Sequence, residues 1–459
     1  MLTHAQLMTP GLDDPDDTPD FAVGIGQQVI RCRFRGARAV ALGSETSPKT
    51  QIAALLDLLD LRLSTPATHH GVPVATDRVA VLLGGRHKDS AEAVDALQVL
   101  AGVLQGPAVE VYEHDAAGHW RLTDRPLYAP SVAAEHYAKL LAAVPSEPPA
   151  LVKQLIAEVG NHALRAYPML ASRGKTWSVR LEGLQIGVLS AAGGWLDVGR
   201  TGRQGAVGPE RTHWQARTGW QTKQVLTPGA LGDAAHRVGL FATSWLAQPE
   251  TPGAGPARQD EHALESRILR GAVPLTTDVN DVLQLLRPHP QVNWGSQFPT
   301  RWGHGGKARY LDGLLRVGPV PWALEMKIAP TSGGLRQYYR HAIVQAVLYR
   351  EFIKRSAPLE PWFLGQGLNR ALCRAAVVVP SLAEAPKVLI PLQRLCEAFD
   401  VMLIQVPHEA AVYRHLILPT HPGHAVLAPR QPPPPPTAPT VELLAASETV
   451  GPALHHEHR

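Results

Sequence analysis

The sequence reads as a multidomain α/β protein, on three observations. Runs with a strand's alternation interleave with runs of helical spacing on both sides of the middle of the chain. The middle itself, residues 146–250, turns glycine-rich and alternating, as β-rich segments do. A Pro/Gly stretch from Glu250 to Arg258 breaks helix and strand alike and marks a boundary. At 459 residues the chain exceeds one typical domain, and 45% hydrophobic against 18% charged residues excludes disorder throughout.

Residues 1–20 hold five aspartates and three prolines with little to bury, which predicts a disordered acidic tail. Residues 21–145 predict a small α/β domain. Its strands lie over Gln28–Phe34, Arg78–Leu83 and Ala108–Tyr112, and its helices over Thr50–Leu63 and Ser90–Leu104. No motif in it carries chemistry. Residues 146–250 open on a helix (Pro149–Val159) and continue as hairpins and loops. Between Arg173 and Lys223, eight Lys/Arg stand against three Asp/Glu, with Trp177, Trp195, Trp214 and Trp220 interleaved. Basic and aromatic side chains on a sheet can grip nucleic acid through phosphates and stacking. The alternative is tryptophan in a core and arginine on a solvated face. Residues 419–459, with Pro432–Pro436 in a row, predict a disordered Pro-rich tail that could dock a proline-reading protein.

The segment from 256 to 418 rises above generic patterning. Tyr310–Val317 reads as a strand, Gly318-Pro319 as a turn, and Pro321–Ile328 as the returning strand of a hairpin. Side chains alternate along a strand, so Leu324, Met326 and Ile328 share an apolar face, while Glu325 and Lys327 share the other. Asp312, thirteen residues before Glu325, lies where pairing brings the two carboxylates together. Two carboxylates beside an ammonium suit a hard divalent cation with oxygen ligands, Mg2+ or Mn2+. Without a cation the carboxylates repel and one tends to protonate. A helix over residues 334–354 follows, placing Gln345 and Tyr349 on one face with His341 a turn earlier. Beyond it come a strand (Cys373–Val379), a short helix (Pro391–Ala398) and a strand (Val401–Val406). Upstream, Asp260–Leu269 is an amphipathic helix carrying Glu261 and Glu265.

This order of elements, with Asp312…Glu325-Met326-Lys327, resembles the PD-(D/E)XK nuclease superfamily. Gln345-x-x-x-Tyr349 is similar to the motif of its RecB-type exonuclease branch. The resemblance covers residues 260–406, a third of the chain, and says nothing of residues 1–250. It implies a restriction-endonuclease-like αβββαβ core. It also implies that Asp312 and Glu325 ligate the metal with the Met326 carbonyl as a third ligand, and that Lys327 is the catalytic lysine. Gln345 and Tyr349 would support the site and the nucleic acid. Glu265 matches the acidic residue of the first helix, with Glu261 a competitor one turn away. Arg336, Arg340, His341 and Lys307 are the candidates to contact nucleic acid. Leu311 stands where the family name has proline, and His304 is a further candidate ligand or a plain loop histidine. The implied activity is metal-dependent phosphodiester hydrolysis, DNA favoured, in repair, restriction or phage defence. The rival is an inactive nucleic-acid-binding or scaffold protein that keeps the fold.

Other chemistries find no support. A phosphate-binding loop ending at Gly174-Lys175-Thr176 needs glycine where Met169 stands. No GxSxG or HExxH motif is present. Cys32, Cys373 and Cys396 are too few for a disulfide framework and include no CxxC pair, which fits a reducing cytoplasm. No run is long and apolar enough for a membrane span, and the first residues do not resemble a secretion signal. The net charge of +4 names no partner by itself. Residues 261–380, however, hold fifteen Lys/Arg against eight Asp/Glu, so the excess concentrates where a phosphate backbone would be met.

Overall fold

The computed structural model describes residues 20–407, apart from 26–27, 36–37, 44–47, 64–67, 70–71, 74–77, 84–89, 115–119, 199–208, 247–256, 287–297, 303–307 and 329–334. The two predicted tails, the 250–258 linker, His304 and Lys307 therefore lie outside the described residues, apart from Asp20 and residues 257–258. The chain is mixed α/β, and the described residues belong to one compact unit that ends at Leu418.

The first sheet runs β1 (Asp20–Ile25), β2 (Gln28–Arg35), β3 (Arg38–Gly43), then β6 (Arg78–Leu83), β7 (Ala108–His114) and β8 (Trp120–Leu122), in that order. A small ribbon, β4 (Thr68–His69) and β5 (Val72–Pro73), stands apart. Strands β3, β6 and β7 are parallel. Parallel neighbours need a crossover, and helices α1 (Pro48–Arg62) and α2 (Ser90–Val103) supply it.

After α3 (Ser131–Ala142), the middle region builds an antiparallel sheet. It runs β9 (Leu164–Pro168), β10 (Thr176–Leu181), β11 (Leu184–Ser190), β12 (Gly193–Leu196) and β13 (Gln224–Leu226). It is not β-rich throughout: α4 (Ala150–Val159), α5 (Pro209–Thr218) and α6 (Leu231–Leu246) cover one face. Leu164, Ala166, Trp177, Val179, Leu181, Leu189 and Leu196 point into that helical layer and are fully buried. Trp177 and Trp214 are thus core residues, as burial of large rings favours.

The last region starts with α7 (Ala257–Leu269) and adds β14 (Gln284–Leu285), the pair β15 (Phe298–Arg301) and β16 (Ala308–Leu311), β17 (Gly313–Val317) and β18 (Val320–Met326). Then follow α8 (Leu335–Arg355), α9 (Glu360–Gly365), β19 (Arg374–Pro380), α10 (Pro386–Ala398) and β20 (Met402–Val406). The sheet order is β14-β17-β18-β19-β20. The hairpin β17–β18 is antiparallel, and β19 and β20 are parallel to β18. Helices α8 and α10 are the crossovers. On the other face Leu264, Ile268 and Leu269 of α7 pack against Leu324, Met326, Ala376 and Val378.

Helices α8 and α10 also meet α1 and α2, so the first and last sheets enclose two helical layers with one continuous core. Arg340 on α8 pairs with Asp57 (2.8 Å) and Asp60 on α1, and Arg309 pairs with Glu92 on α2 (2.8 Å). No helix among the described residues is long and apolar enough to cross a membrane.

Candidate active site

The site forms at the carboxy-terminal end of β18. Register pairs Gly313 with Leu324, so Asp312 comes opposite Glu325. The expected single strand from Tyr310 to Val317 is instead broken at Asp312: β16 pairs with β15, and β17 leaves to pair with β18. Asp312 occupies the bend between two sheets, where its Oδ2 accepts the Met326 N–H at 2.8 Å. The neighbouring Gly313 sits against the Met326 side chain, 2.9 Å from Cε to a Cβ placed there.

Alternation along β18 works as the sequence predicts. Met326 and Ile328 enter the core beneath α7, while Glu325 and Lys327 face the other way. The Lys327 ammonium lies 2.7 Å from Glu325 Oε1, 2.8 Å from Glu261 Oε1 and 4.0 Å from Asp312 Oδ2. It also donates to the Met326 carbonyl at 3.0 Å. Glu261 and Glu265 of α7 both act on the site, by different routes. Glu261 holds Lys327 and accepts a hydrogen bond from Tyr338 of α8 (2.7 Å). Glu265 raises the proton affinity of Asp312 and lies 3.1 Å from His262 Nδ1. Residues four apart on a helix share a face, which is why both arrive.

Helix α8 closes the other side. Gln345 Nε2 donates to the Tyr349 hydroxyl (3.4 Å), which donates to the Tyr310 carbonyl at 3.3 Å. Glu325 Oε2 is buried with no hydrogen-bond partner among the described residues. Tyr338 is a site residue that no sequence motif marks. Its ring lies 5.8 Å from the Lys327 ammonium.

The electrostatics follow from crowding acids in a dry place. Burial, then Glu325, hold the Asp312 carboxyl well above the usual carboxylate range, and burial raises Glu325 too. Burial works against the Lys327 ammonium, yet Glu325, Asp312 and Glu261 outweigh it and raise its pKa further, so Nζ keeps its proton. Three carboxylates, Glu325, Glu261 and Asp312, thus surround one ammonium, and one buried oxygen stays unpaired. A hard cation with oxygen ligands fits that donor set. The described residues hold no ready-made cluster of three His, Cys, Asp or Glu ligands; the ammonium of Lys327 stands among the acids instead.

The four residues proposed to meet nucleic acid fare differently. Lys307 and the Arg336 side chain lie outside the described residues. His341 is half-buried. Arg340 does not face a substrate: it is buried and committed to Asp57 and Asp60, because the face of α8 that carries it packs on α1. No protein-family model, curated protein or solved structure matches the chain.

Proposed function

We propose that the protein is a metal-dependent nuclease that hydrolyses phosphodiester bonds, with DNA the favoured substrate and repair, restriction or phage defence the setting. Support comes from the elements of this sheet and its crossover, α7, β14, β17, β18, α8 and β19, whose order resembles the αβββαβ core of PD-(D/E)XK nucleases once the inserted β15, β16 and α9 are set aside. The observation that carries the reading is the meeting of Asp312, Glu325 and Lys327 with Glu261 and Glu265 at one strand end.

Asp312, Glu325, Glu265 and the Met326 carbonyl are the groups to hold Mg2+ or Mn2+. Such an ion stabilises charge developing on a phosphate. The protein's own contribution centres on Lys327. Its proton is fixed by three carboxylates, so it acts as a permanent cation that orients an attacking water and steadies the phosphate, not as a base. Glu261, itself anchored by Tyr338, keeps that cation in place. Gln345 and Tyr349 brace the Tyr310–Asp312 bend from α8.

One observation favours an inactive scaffold instead: Lys327 satisfies itself with Glu325, Glu261 and Met326, as a purely structural ion network does. Nicking of plasmid and single-stranded DNA with Mg2+ or Mn2+ separates the two. The nuclease reading expects cleavage that Glu325→Ala and Lys327→Ala abolish. Identical behaviour of all three proteins leaves the scaffold reading.

A further inference from the structure

The middle sheet has a second face that is buried on its β9–β10 side, where α7 meets it, and opens toward β12 and β13. Register places Arg165 beside Arg180, and Tyr167, Ser178, Val188, Trp195 and Val225 in one row across all five strands. The row runs from buried to open: Tyr167 is covered, Val188 and Trp195 are half-buried, and Val225 is 75% exposed. Among the described residues, the charged side chains of this face are cations, beside the Gln185 amide and the Ser178 hydroxyl. The Arg180 guanidinium lies 5.6 Å from the Tyr167 ring, and exposed Lys223 sits 4.4 Å over the ring of Trp195. Gln185 Nε2 donates to Ser178 Oγ at 3.1 Å. The two acids at its margins are already neutralised, Asp197 by Arg211 (3.1 Å) and Glu182 by Arg267 and Arg270 (2.8 and 2.6 Å). Arg165 is buried beside Tyr167 and Arg270, a cation set against a cation, and burial lowers its pKa to about 10.

This face abuts α7, the helix that carries Glu261 to the candidate site. The buried Tyr167 hydroxyl meets Ser266 of that helix, next to Glu265. The join is rigid. The β10–β11 turn, with Glu182 at φ 42° and Gly183 at φ 83°, presses on α7, where a Cβ at Gly183 would meet the His262 carbonyl at 2.5 Å. The buried Glu182–Arg267 pair locks the two together.

We infer that this sheet face is a platform for single-stranded nucleic acid, with Trp195 and Lys223 at its outer end and Arg180 and Gln185 at its inner end, toward α7. The inference rests on the phosphodiester-hydrolase reading of the candidate site. A flat face carrying a ring and spaced cations suits unstacked bases and a following backbone. A duplex keeps its bases stacked inside and offers such a ring nothing. The open part, from β13 to β11, covers two strand spacings, about 10 Å at about 4.8 Å each, room for one or two nucleotides. A base stacked on Trp195 takes the place of the Lys223 ammonium, which moves to the adjoining phosphate.

The test is fluorescence anisotropy of the full-length chain in EDTA, with a labelled single-stranded DNA and its duplex. The chain and its Glu325→Ala variant are expected to bind the single strand more tightly than the duplex. Trp195→Ala lowers that affinity about ten-fold, the scale of one base stacked on one ring. Lys223→Glu, at an exposed position, also weakens it, and flattens the salt dependence by about 0.7 for each phosphate that is no longer neutralised. Circular dichroism checks the fold of each variant. Equal binding of both forms, unchanged binding by both variants, or no nucleic acid bound overturns the platform. Binding that behaves as expected with no cleavage under any divalent metal sinks the nuclease reading alone. Cleavage unaffected by both variants sinks the platform alone.

Discussion

Lys327 shows how much one side chain can hold together. Its neighbours Glu325 and Glu261 are acids in a buried setting, and a buried charge stripped of its partner costs about 3–5 kcal/mol. Lys327→Met is therefore expected to lower stability by about 3 kcal/mol or more at neutral pH, read by urea denaturation. The loss should shrink on acidification, as the stranded carboxylates take up protons. His162 gives a pH prediction away from the site. Burial, then Arg270 and Arg165, hold its pKa below the usual 6.5, so folding favours the neutral ring. Its contribution is complete above about pH 6.5 and is lost as pH falls through the depressed value. The fall in stability below pH 6.5 should flatten in His162→Gln; an unchanged profile would contradict this account of His162. The residues of the hairpin were legible because alternation is local: Glu325 and Lys327 had to share a face. The partner of Lys327 was not. Glu261 and Glu265 differ by one helical turn, and which acid meets the ammonium depends on how α7 is set against the sheet.

At the scale of elements, α8 is shared between two structures. One side carries Tyr338, Gln345 and Tyr349 to the site, and Arg340 ties the helix to α1. Arg340→Met leaves Asp57 and Asp60 without that cation and is expected to cost about 3 kcal/mol or more. It should also lower any cleavage activity, since α8 loses an anchor; full stability and activity in the variant would count against this shared role. Helical periodicity predicted α8 nearly to its ends but could not say what its arginines touch. A basic helix beside an acidic site looks like a phosphate grip until α1 is seen against it. The break at Asp312 was illegible for a similar reason. Local propensity reads β16 and β17 as one strand, and only their two different pairing partners divide them.

Across the whole molecule, the first and last sheets share a core, so the candidate site is built on a scaffold drawn from much of the chain. A fragment beginning at residue 256 would uncover the surfaces of α8 and α10 that α1 and α2 cover, and would strip Arg340 of both carboxylates. Size-exclusion chromatography and near-ultraviolet circular dichroism should find it aggregated or loosely packed. A monodisperse fragment with fixed tertiary packing would show that the first sheet is dispensable. The Pro/Gly linker suggested a boundary from composition alone, which reports where the backbone can bend and not which faces are sticky. The central claim is that Asp312, Glu325 and Lys327 work together on a phosphodiester. Single-turnover cleavage of a labelled oligonucleotide under a Mg2+ titration tests it most directly. The account predicts that Asp312→Asn and Glu325→Gln raise the metal concentration required. Lys327→Met should instead lower the maximal rate by about 100-fold or more, with the metal requirement unchanged. Equal rates for wild type and all three variants, or no cleavage by the wild type at any metal concentration, would contradict it.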